Sequence, residues 1–213
     1  MIVIGDVHGC FNELIELINK LPQTDNLCFV GDLIDRGPDS KKVVDFVIDN
    51  NHKSVLGNHE EFINLAFTED SDNNLIIDDN IKSMWFQNGG NTTVKSFGES
   101  FFEYLDFFSN MPLFVEHKNF LISHSYAFNG LKTPKDDVLW GRDFVKKTRK
   151  DFINIFGHTP TLNNKPMKID KTHWNIDTCC FQTGVLTAID LETMQIYQTR
   201  RRKYELKRRK NYL

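Results

Sequence analysis

One pattern constrains the fold of this chain more than any other and occurs three times within its first third: an apolar segment ends in glycine, and polar residues follow at once. The segments read "MIVIG", "LCFVG" and "SVLG", and stretches with helical spacing of apolar residues come after them. Strands that alternate with helices in this way predict an α/β fold. Ligands bind such sheets at the carboxyl ends of the strands, so we predict a site formed by the polar residues that follow.

The polar residues at these three strand ends are Asp6, His8, Asp32, Asp35, Asn58 and His59. Further along the chain, "LFVEH", "FLISH" and "NIFGH" have the period-two spacing of strands, and the last two end in His124 and His158. The segment "GVLTAIDLETMQIYQ" predicts a hairpin around Glu192 and Thr193. Candidate site residues therefore come from both halves of the chain.

Helical spacing of apolar residues predicts helices over 11–21 and in "SKKVVDFVIDN", the second capped by Asp39 or Ser40, of which we favour Asp39. The region 78–110 also has helical spacing, with a stop at the glycine pair 89–90. Trp85 in this region either packs in the core, which we favour, or borders a groove. The segment "DSDNN" is predicted as an acidic loop, because residues 75 and 81 do not match a calcium-binding loop.

A length of 213 residues fits one domain with a sizeable core. No run of eighteen apolar residues occurs, and "MIVIGDVHG" lacks the features of a leader segment, so we expect a soluble, cytoplasmic protein. The spacing of the four cysteines fits neither a disulfide framework nor a structural zinc site. We therefore predict that Cys10, Cys28, Cys179 and Cys180 are buried thiols.

The net charge of −3 conceals a basic C-terminus, since residues 200–213 hold eight basic residues and one acidic residue. We expect a catalytic domain over 1–199 and a basic tail over 200–213. The tail is either a solvated terminus or a contact for an anionic partner.

The chemistry of the strand-end residues indicates a metal site. Oxygen and imidazole donors in this combination suit a pair of divalent ions such as Mn, Fe or Zn, whereas structural zinc would favour thiolates. Two ions that share a carboxylate can activate a water and bind a phosphoryl group. Arg36 and Arg142 are the candidates for binding the phosphate oxygens in bidentate fashion.

The ordered motifs "GDVHG", "GDLIDRG" and "GNHE" resemble the signature of the PPP family of metallophosphatases. Asp6, Asp32 and Asn58 in these motifs follow one another at intervals of 26 residues. "ISHS", "WGRD" and "GHTP" are similar to the later motifs of the family, and the chain is most similar to its small bacterial and bacteriophage serine/threonine protein phosphatases. The residues after His124, "SY", and the segment "DTCC" depart from the family pattern, which leaves open whether Cys179 and Cys180 line the substrate groove.

The resemblance implies a β-sandwich of two mixed sheets flanked by helices and a centre of two divalent ions, most often Mn. It also implies a role for each matching residue. Asp6 and His8 hold one ion, Asp32 bridges, and Asn58, His124 and His158 hold the other. His59 protonates the leaving group, Asp35 orients His59, Arg36 and Arg142 bind the phosphate, and a metal-bridging hydroxide attacks in line.

The function expected from the resemblance is a serine/threonine protein phosphatase that acts on phosphorylated proteins. The rival enzyme is a symmetrical bis(5'-nucleosyl)-tetraphosphatase, which often lacks an acid at the position of Asp35 and carries GNHD where this chain has "GNHE". A nuclease is disfavoured because the last motif reads "GHTP" rather than GHxH, so nucleic acid is not an expected partner. A binding module without catalytic activity is the alternative from another class.

Overall fold

The computed structural model describes residues 1–72, 74–144, 151–170 and 173–200. The strands are β1 (Ile2–Ile4), β2 (Leu27–Phe29), β3 (Lys53–Ser54), β4 (Phe67–Glu69), β5 (Leu75–Ile77), β6 (Phe114–His117), β7 (Phe120–Ser123), β8 (Ile153–Phe156), β9 (Met167–Lys168), β10 (Trp174–Asn175), β11 (Thr187–Asp190) and β12 (Ile196–Gln198). The helices are α1 (Phe11–Ile18), α2 (Ser40–Asp49), α3 (Asn58–Ala66), α4 (Asp79–Gln87), α5 (Gly90–Phe97), α6 (Leu105–Ser109), α7 (Lys135–Trp140) and α8 (Cys180–Thr183). Short 3-10 helices cover Gly98–Tyr104, Gly130–Lys132 and Leu162–Asn164.

The described strands form two five-stranded mixed sheets and one separate hairpin. The first sheet has the order β12-β11-β1-β2-β3, and β1, β2 and β3 are parallel to one another. The second has the order β6-β7-β8-β10-β9, with β7, β8 and β10 parallel. The sequence-based prediction of an α/β fold with two mixed sheets is confirmed.

The first sheet is apolar on both faces, because each face covers a separate core. Ile2 and Ile4 contact the helical layer, whereas Val3 between them faces the second sheet and packs near Ile122 and Ile155. Successive side chains of a strand point to opposite faces, which is why β1 is a continuous apolar run. Each fully buried aliphatic side chain of this kind stabilises the fold by about 1.5–3 kcal/mol.

The predicted helices are present with small differences at their ends. α1 ends at Ile18, earlier than the predicted residue 21, and Pro22 follows shortly afterwards. Asp39 occupies the N-cap position of α2, as predicted, but its side chain does not cap the helix. The Asp39 carboxylate instead accepts a hydrogen bond from Lys42 Nζ at 2.7 Å, because the ammonium lies one turn along the same helix.

The helical region predicted over 78–110 divides as the glycine pair indicated. α4 begins after Asp78, whose carboxylate accepts hydrogen bonds from the backbone N–H groups of Asn80 and Ile81, and it ends at Gln87. Gly89 follows with φ of 106°, a left-handed conformation that glycine adopts without strain. α5 then begins at Gly90.

The hairpin of β4 and β5 was not predicted, and Asp70 and Asn74 of the predicted acidic loop lie between its strands. Asp70 Oδ1 accepts hydrogen bonds from the backbone N–H groups of Asp72 and Asn74 at 2.8 and 2.9 Å. Each strand is only three residues long, and β5 is exposed, so neither gives a clear pattern of alternation.

The C-terminal hairpin predicted around Glu192 is present as β11 and β12. Arg200, the first residue of the predicted tail, donates its backbone N–H to Glu16 Oε1 at 3.0 Å. Residues 201–213 lie outside the described residues, so the division into a domain and a tail stays a prediction. No helix in the described ranges is long and apolar enough to cross a membrane. All four cysteines are buried, as predicted.

Candidate active site

The two sheets bring strand ends from both halves of the chain together. Asp6 follows β1 of the first sheet, and His124 and His158 follow the parallel strands β7 and β8 of the second. The backbone N–H of His158 donates to Asp6 Oδ2 at 3.0 Å. His124 Nδ1 donates to the carbonyl of Val30, which directly follows β2, at 2.8 Å. The predicted site residues of the two halves therefore share one site.

The first group of candidate metal ligands is Asp6 and His8. His8 donates through Nδ1 to the carbonyl of Ile34 at 2.9 Å, which leaves Nε2 facing Asp32 Oδ2 at 3.4 Å. Asp6 Oδ1 is buried and makes no hydrogen bond to any described residue. Burial, together with the carboxylates of Asp177 and Asp32, raises the pKa of Asp6 well above its ordinary value. A cation placed between these carboxylates would relieve their repulsion.

Asp32 lies between this first group and a second one. Its Oδ2 faces His8, and its Oδ1 lies 3.5 Å from His124 Nε2. Oδ1 also accepts a hydrogen bond from the backbone N–H of His59 at 3.1 Å. A carboxylate with one oxygen toward each group could serve as a ligand to two ions.

The second group is a triangle of donor atoms. Asn58 Oδ1 lies 2.8 Å from His124 Nε2 and 2.9 Å from His158 Nδ1, and the two nitrogens are 3.1 Å apart. Two ligands that are each about 2.1 Å from one ion lie at most about 4.2 Å apart, and these three atoms meet that limit. Burial lowers the pKa of His124 below its ordinary value and, with the charge of His124, lowers that of His158 to about 3. Neutral imidazole is the form that binds a metal, so the donors fit a divalent ion.

His59 and Asp35 form a buried hydrogen-bonded pair beside these groups. His59 Nδ1 lies 2.6 Å from Asp35 Oδ2, and His59 Nε2 lies 3.9 Å from Asp32 Oδ2. Burial works against the charged imidazole, but the carboxylates of Asp32 and Asp35 outweigh it and raise the pKa of His59. A protonated His59 thus presents Nε2–H toward the candidate metal ligands.

Several site residues have left-handed backbone conformations. They are His8, Asp32, Asp35, Arg36 and His158, with φ between 49° and 71°. Such conformations are uncommon for residues other than glycine and cost of order 1–3 kcal/mol each, so the surrounding contacts must enforce them. Their concentration in these loops is typical of functional sites.

The two arginines near the site differ in burial and in contacts. Arg36 is half-buried, donates from Nη1 to His8 Nε2 at 2.8 Å, and has its guanidinium 4.6 Å from the centre of the Phe181 ring. Arg142 is exposed, yet its charge helps to lower the pKa of His158. All ten predicted residues thus come together: eight are buried, Arg36 is half-buried and Arg142 is exposed.

Glu60 is a supporting residue to which the sequence analysis gave no role. Its buried carboxylate accepts four hydrogen bonds from backbone N–H groups, those of Asp32, Leu33, Ile34 and Gly57, at 2.8 to 3.3 Å. It thereby joins the loop after β2 to the start of α3. Its only signal in the sequence is the acidic end of "GNHE".

Three more residues contact the site or lie beside it, and the sequence assigned them no role there. Trp85 is fully buried, as favoured, but its Nε1–H also donates to Asp35 at 2.8 Å. The Thr93 hydroxyl donates to the same carboxylate at 2.6 Å. Asp177 lies beside Asp6, and burial raises its pKa to about 6. The sequence signals were the segment "NGG" between Trp85 and Thr93, and "IDT" at Asp177.

A model of the calcineurin-like phosphoesterase family matches residues 1–184 of the chain. The chain belongs to the calcineurin-like phosphoesterase family. It is 29% identical to bis(5'-nucleosyl)-tetraphosphatase PrpE [asymmetrical] of Anoxybacillus flavithermus, over 92% of this chain and 94% of the relative. It is also 32% identical to serine/threonine-protein phosphatase 2 of Salmonella typhimurium, over 73% and 78% of the two chains.

The fold agrees with this assignment. The crystal structure of a metallophosphoesterase from Sphaerobacter thermophilus superposes with a TM-score of 0.59 at 14% identity, over 96% of this chain and 89% of the other. This calcineurin-like phosphoesterase is accordingly a hydrolase of phosphate esters. Its family implies divalent ions, and its donor atoms fit them. Its relatives include both protein phosphatases and tetraphosphatases.

Proposed function

We propose that the chain is a metal-dependent serine/threonine protein phosphatase that hydrolyses phosphomonoesters. The observation that carries this proposal is the contact of 2.6 Å between His59 Nδ1 and Asp35 Oδ2. The alkoxide of serine or threonine is a poor leaving group and needs a proton as its bond to phosphorus breaks. A protonated His59 can supply that proton from Nε2, a contribution of typically 10²–10⁴-fold in rate.

The candidate ligands divide between two ions in this proposal. Asp6 and His8 would hold one, Asn58, His124 and His158 the other, and Asp32 both. We propose Mn²⁺ as the ion, with Fe or Zn as alternatives, because these ions accept mixed oxygen and imidazole donors. Such ions, when bound, supply an activated water and neutralise charge on the phosphoryl group.

Arg36 and Arg142 would bind the phosphate oxygens. The planar guanidinium offers two parallel N–H donors to a phosphate, and its charge matches the charge that develops on the equatorial oxygens. Phe181 stacks against Arg36 and restricts its motion, whereas exposed Arg142 can reach a substrate at the rim. Both residues are therefore expected to affect substrate binding as well as turnover.

A bis(5'-nucleosyl)-tetraphosphatase, expected from the sequence in its symmetrical form, is the second candidate. Relatives of similar identity over most of the chain are named as the asymmetrical enzyme, and a relative that is 52% identical over 62 residues is named as the symmetrical one. Cleavage within a tetraphosphate releases a nucleotide anion, which is a stable leaving group without a proton. That reaction therefore does not need a proton donor such as the buried pair of His59 and Asp35. This chemical difference is our reason for favouring the phosphomonoester.

The test is hydrolysis by protein that is stripped with EDTA and reloaded with Mn²⁺. A phosphoserine protein, p-nitrophenyl phosphate and diadenosine tetraphosphate are compared in parallel. Metal-dependent release of phosphate from the first two with little cleavage of the third supports the proposal. Preferential cleavage of the dinucleotide supports the second candidate, and metal binding without any hydrolysis would support a binding module.

We propose further that the catalytic part covers residues 1–199 and that the basic tail over 200–213 contacts an anionic partner. The charge of the tail supports this proposal. Deletion of residues 201–213 should leave hydrolysis of p-nitrophenyl phosphate unchanged and weaken, in a salt-dependent way, activity on acidic phosphoproteins. Equal activity of the two forms on acidic and basic phosphoproteins would exclude a role for the tail. The cytoplasmic location stays a prediction.

A further inference from the structure

The Asp35 carboxylate is held by donors on both of its oxygens. Oδ1 accepts a hydrogen bond from Thr93 Oγ1 at 2.6 Å. Oδ2 accepts one from Trp85 Nε1 at 2.8 Å and lies 2.6 Å from His59 Nδ1. All four side chains are buried. A buried carboxylate that accepts bonds from three fixed donors has one permitted orientation.

The indole of Trp85 cannot move away from Asp35 without losing its packing contacts. Its ring stacks on Phe101 at 5.8 Å between centres and meets the edge of Phe67 at 6.2 Å. Gly90 lies so close to the ring that a Cβ atom there would overlap it. The aromatic core thus fixes the direction of the Nε1–H group, and Asp35 is its acceptor.

Thr93 fixes the backbone of Asp35 as well as its side chain. Its Oγ1 accepts the Asp35 backbone N–H at 2.9 Å and lies 3.1 Å from Ser40 Oγ. Asp35 has φ of 71°, which needs such support. The turn between α4 and α5 also accepts the backbone N–H of Arg36 on the Gly89 carbonyl at 3.4 Å.

We propose that Trp85 and Thr93 are positioning residues for the proton donor. They fix Asp35 so that its Oδ2 holds Nδ1–H of His59 and Nε2–H of His59 faces the leaving oxygen. This inference rests on the function proposed above for His59. The helical pair α4–α5 therefore contributes to the reaction from outside the strand-end loops, through two side chains that do not touch the candidate metal ligands.

The test compares two substrates whose leaving groups differ in their need for a proton, and so separates proton donation from other functions. Trp85→Phe keeps the aromatic ring and removes its N–H, and Thr93→Val keeps the shape and removes the hydroxyl. Both should lower kcat for phenyl phosphate, a poor leaving group, by about tenfold or more, as for loss of a hydrogen bond to a charged group. Both should change kcat for p-nitrophenyl phosphate, a good leaving group, by less than about threefold, because that step needs little protonation.

Three controls accompany these variants. Thr93→Ser keeps the hydroxyl and should retain activity on phenyl phosphate. Trp174→Phe makes the same chemical change in β10, where the ring contacts Lys168, and should leave both substrates unaffected. His59→Asn is the reference for complete loss of the donor.

The outcomes distinguish this inference from the proposed function. Selective loss on phenyl phosphate with intact metal content supports the positioning role. Equal loss on both substrates, loss of metal, or no loss in Trp85→Phe and Thr93→Val overturns it, provided that His59→Asn shows the selective loss. If His59→Asn itself shows no selectivity between the substrates, the proposed proton donor is wrong and the inference fails with it.

Discussion

At the scale of single residues, backbone groups orient the side chains of the site. His8 and His124 each donate Nδ1–H to a backbone carbonyl in the segment that follows β2, of Ile34 and Val30, and so direct Nε2 into the site. A carbonyl that accepts Nδ1–H fixes the tautomer of the imidazole and leaves Nε2 unprotonated in the neutral ring. At Glu60 a side chain fixes the backbone instead. Its carboxylate accepts hydrogen bonds from four backbone N–H groups and holds the loop that carries Asp32.

His59→Asn should lower turnover of a phosphoserine protein by about 10²–10⁴-fold, because the leaving alkoxide loses its proton donor. Metal content by elemental analysis should be unchanged. His117→Asn is the matched control, since His117 lies in β6 beside Glu192 at 3.7 Å, and its activity should equal that of the unaltered protein. Loss of metal in His59→Asn would contradict the role assigned to His59.

Glu60→Gln should lower the free energy of unfolding by about 2–4 kcal/mol. Each carboxylate oxygen accepts two backbone N–H groups, so the amide NH₂ of Gln faces two donors in either orientation. Urea unfolding measures the change. Glu192→Gln affects an exposed ion pair with Lys118 and should cost less than about 1 kcal/mol. Equal losses in the two variants would mean that the four hydrogen bonds contribute little.

At the scale of elements, the helical pair α4–α5 shows what packing adds to a local pattern. The glycine pair correctly predicted where α4 stops, because the left-handed φ of Gly89 is a local requirement. No local pattern relates Trp85 to Asp35, which lies 50 residues earlier in the chain. That contact depends on how the helices pack.

Gly90→Ala tests the packing of this pair. Although alanine forms helices better than glycine, its Cβ would overlap the Trp85 indole, and we expect a loss of about 1–3 kcal/mol in the free energy of unfolding. Activity on a phosphoserine protein should fall together with stability. Asn91→Ala at the exposed next position should instead leave stability equal or slightly higher. A Gly90→Ala variant as stable as Asn91→Ala would show that the overlap is relieved at no cost.

At the scale of the whole molecule, the site lies where the two sheets meet, and its buried carboxylates repel one another. Asp6, Asp32 and Asp177 come from widely separated parts of the chain. In the metal-free protein Asp6 and Asp177 keep their protons to higher pH than in the unfolded chain, because burial raises their pKa values. Stability and metal binding are therefore linked to pH.

Asp177→Asn measures this link. In the unfolded chain Asp177 loses its proton near pH 3.8, but in the fold only near pH 6, so the metal-free unaltered protein is destabilised as the pH rises through that window. Asparagine does not titrate. The free energy of unfolding of the metal-free variant relative to the unaltered protein should therefore increase by up to about 3 kcal/mol between pH 4 and 7.

The Mn²⁺-loaded proteins are the control, since cations favour the ionised carboxylates and should reduce this pH dependence. Urea unfolding at several pH values gives both differences. A difference that is independent of pH in the metal-free proteins would show that Asp177 is ionised in the fold throughout this range.

The sequence by itself determined the alternation of elements and which polar residues follow the strands, because both depend on periods of two and 3.6 residues and on the parallel strands ending at one edge. The ten candidate residues were found in this way and from their motifs. Only the tertiary structure decided the roles of Glu60, Trp85, Thr93 and Asp177. Each acts through a contact with a residue distant along the chain or through burial. Neither property produces a periodic pattern of residues in the sequence.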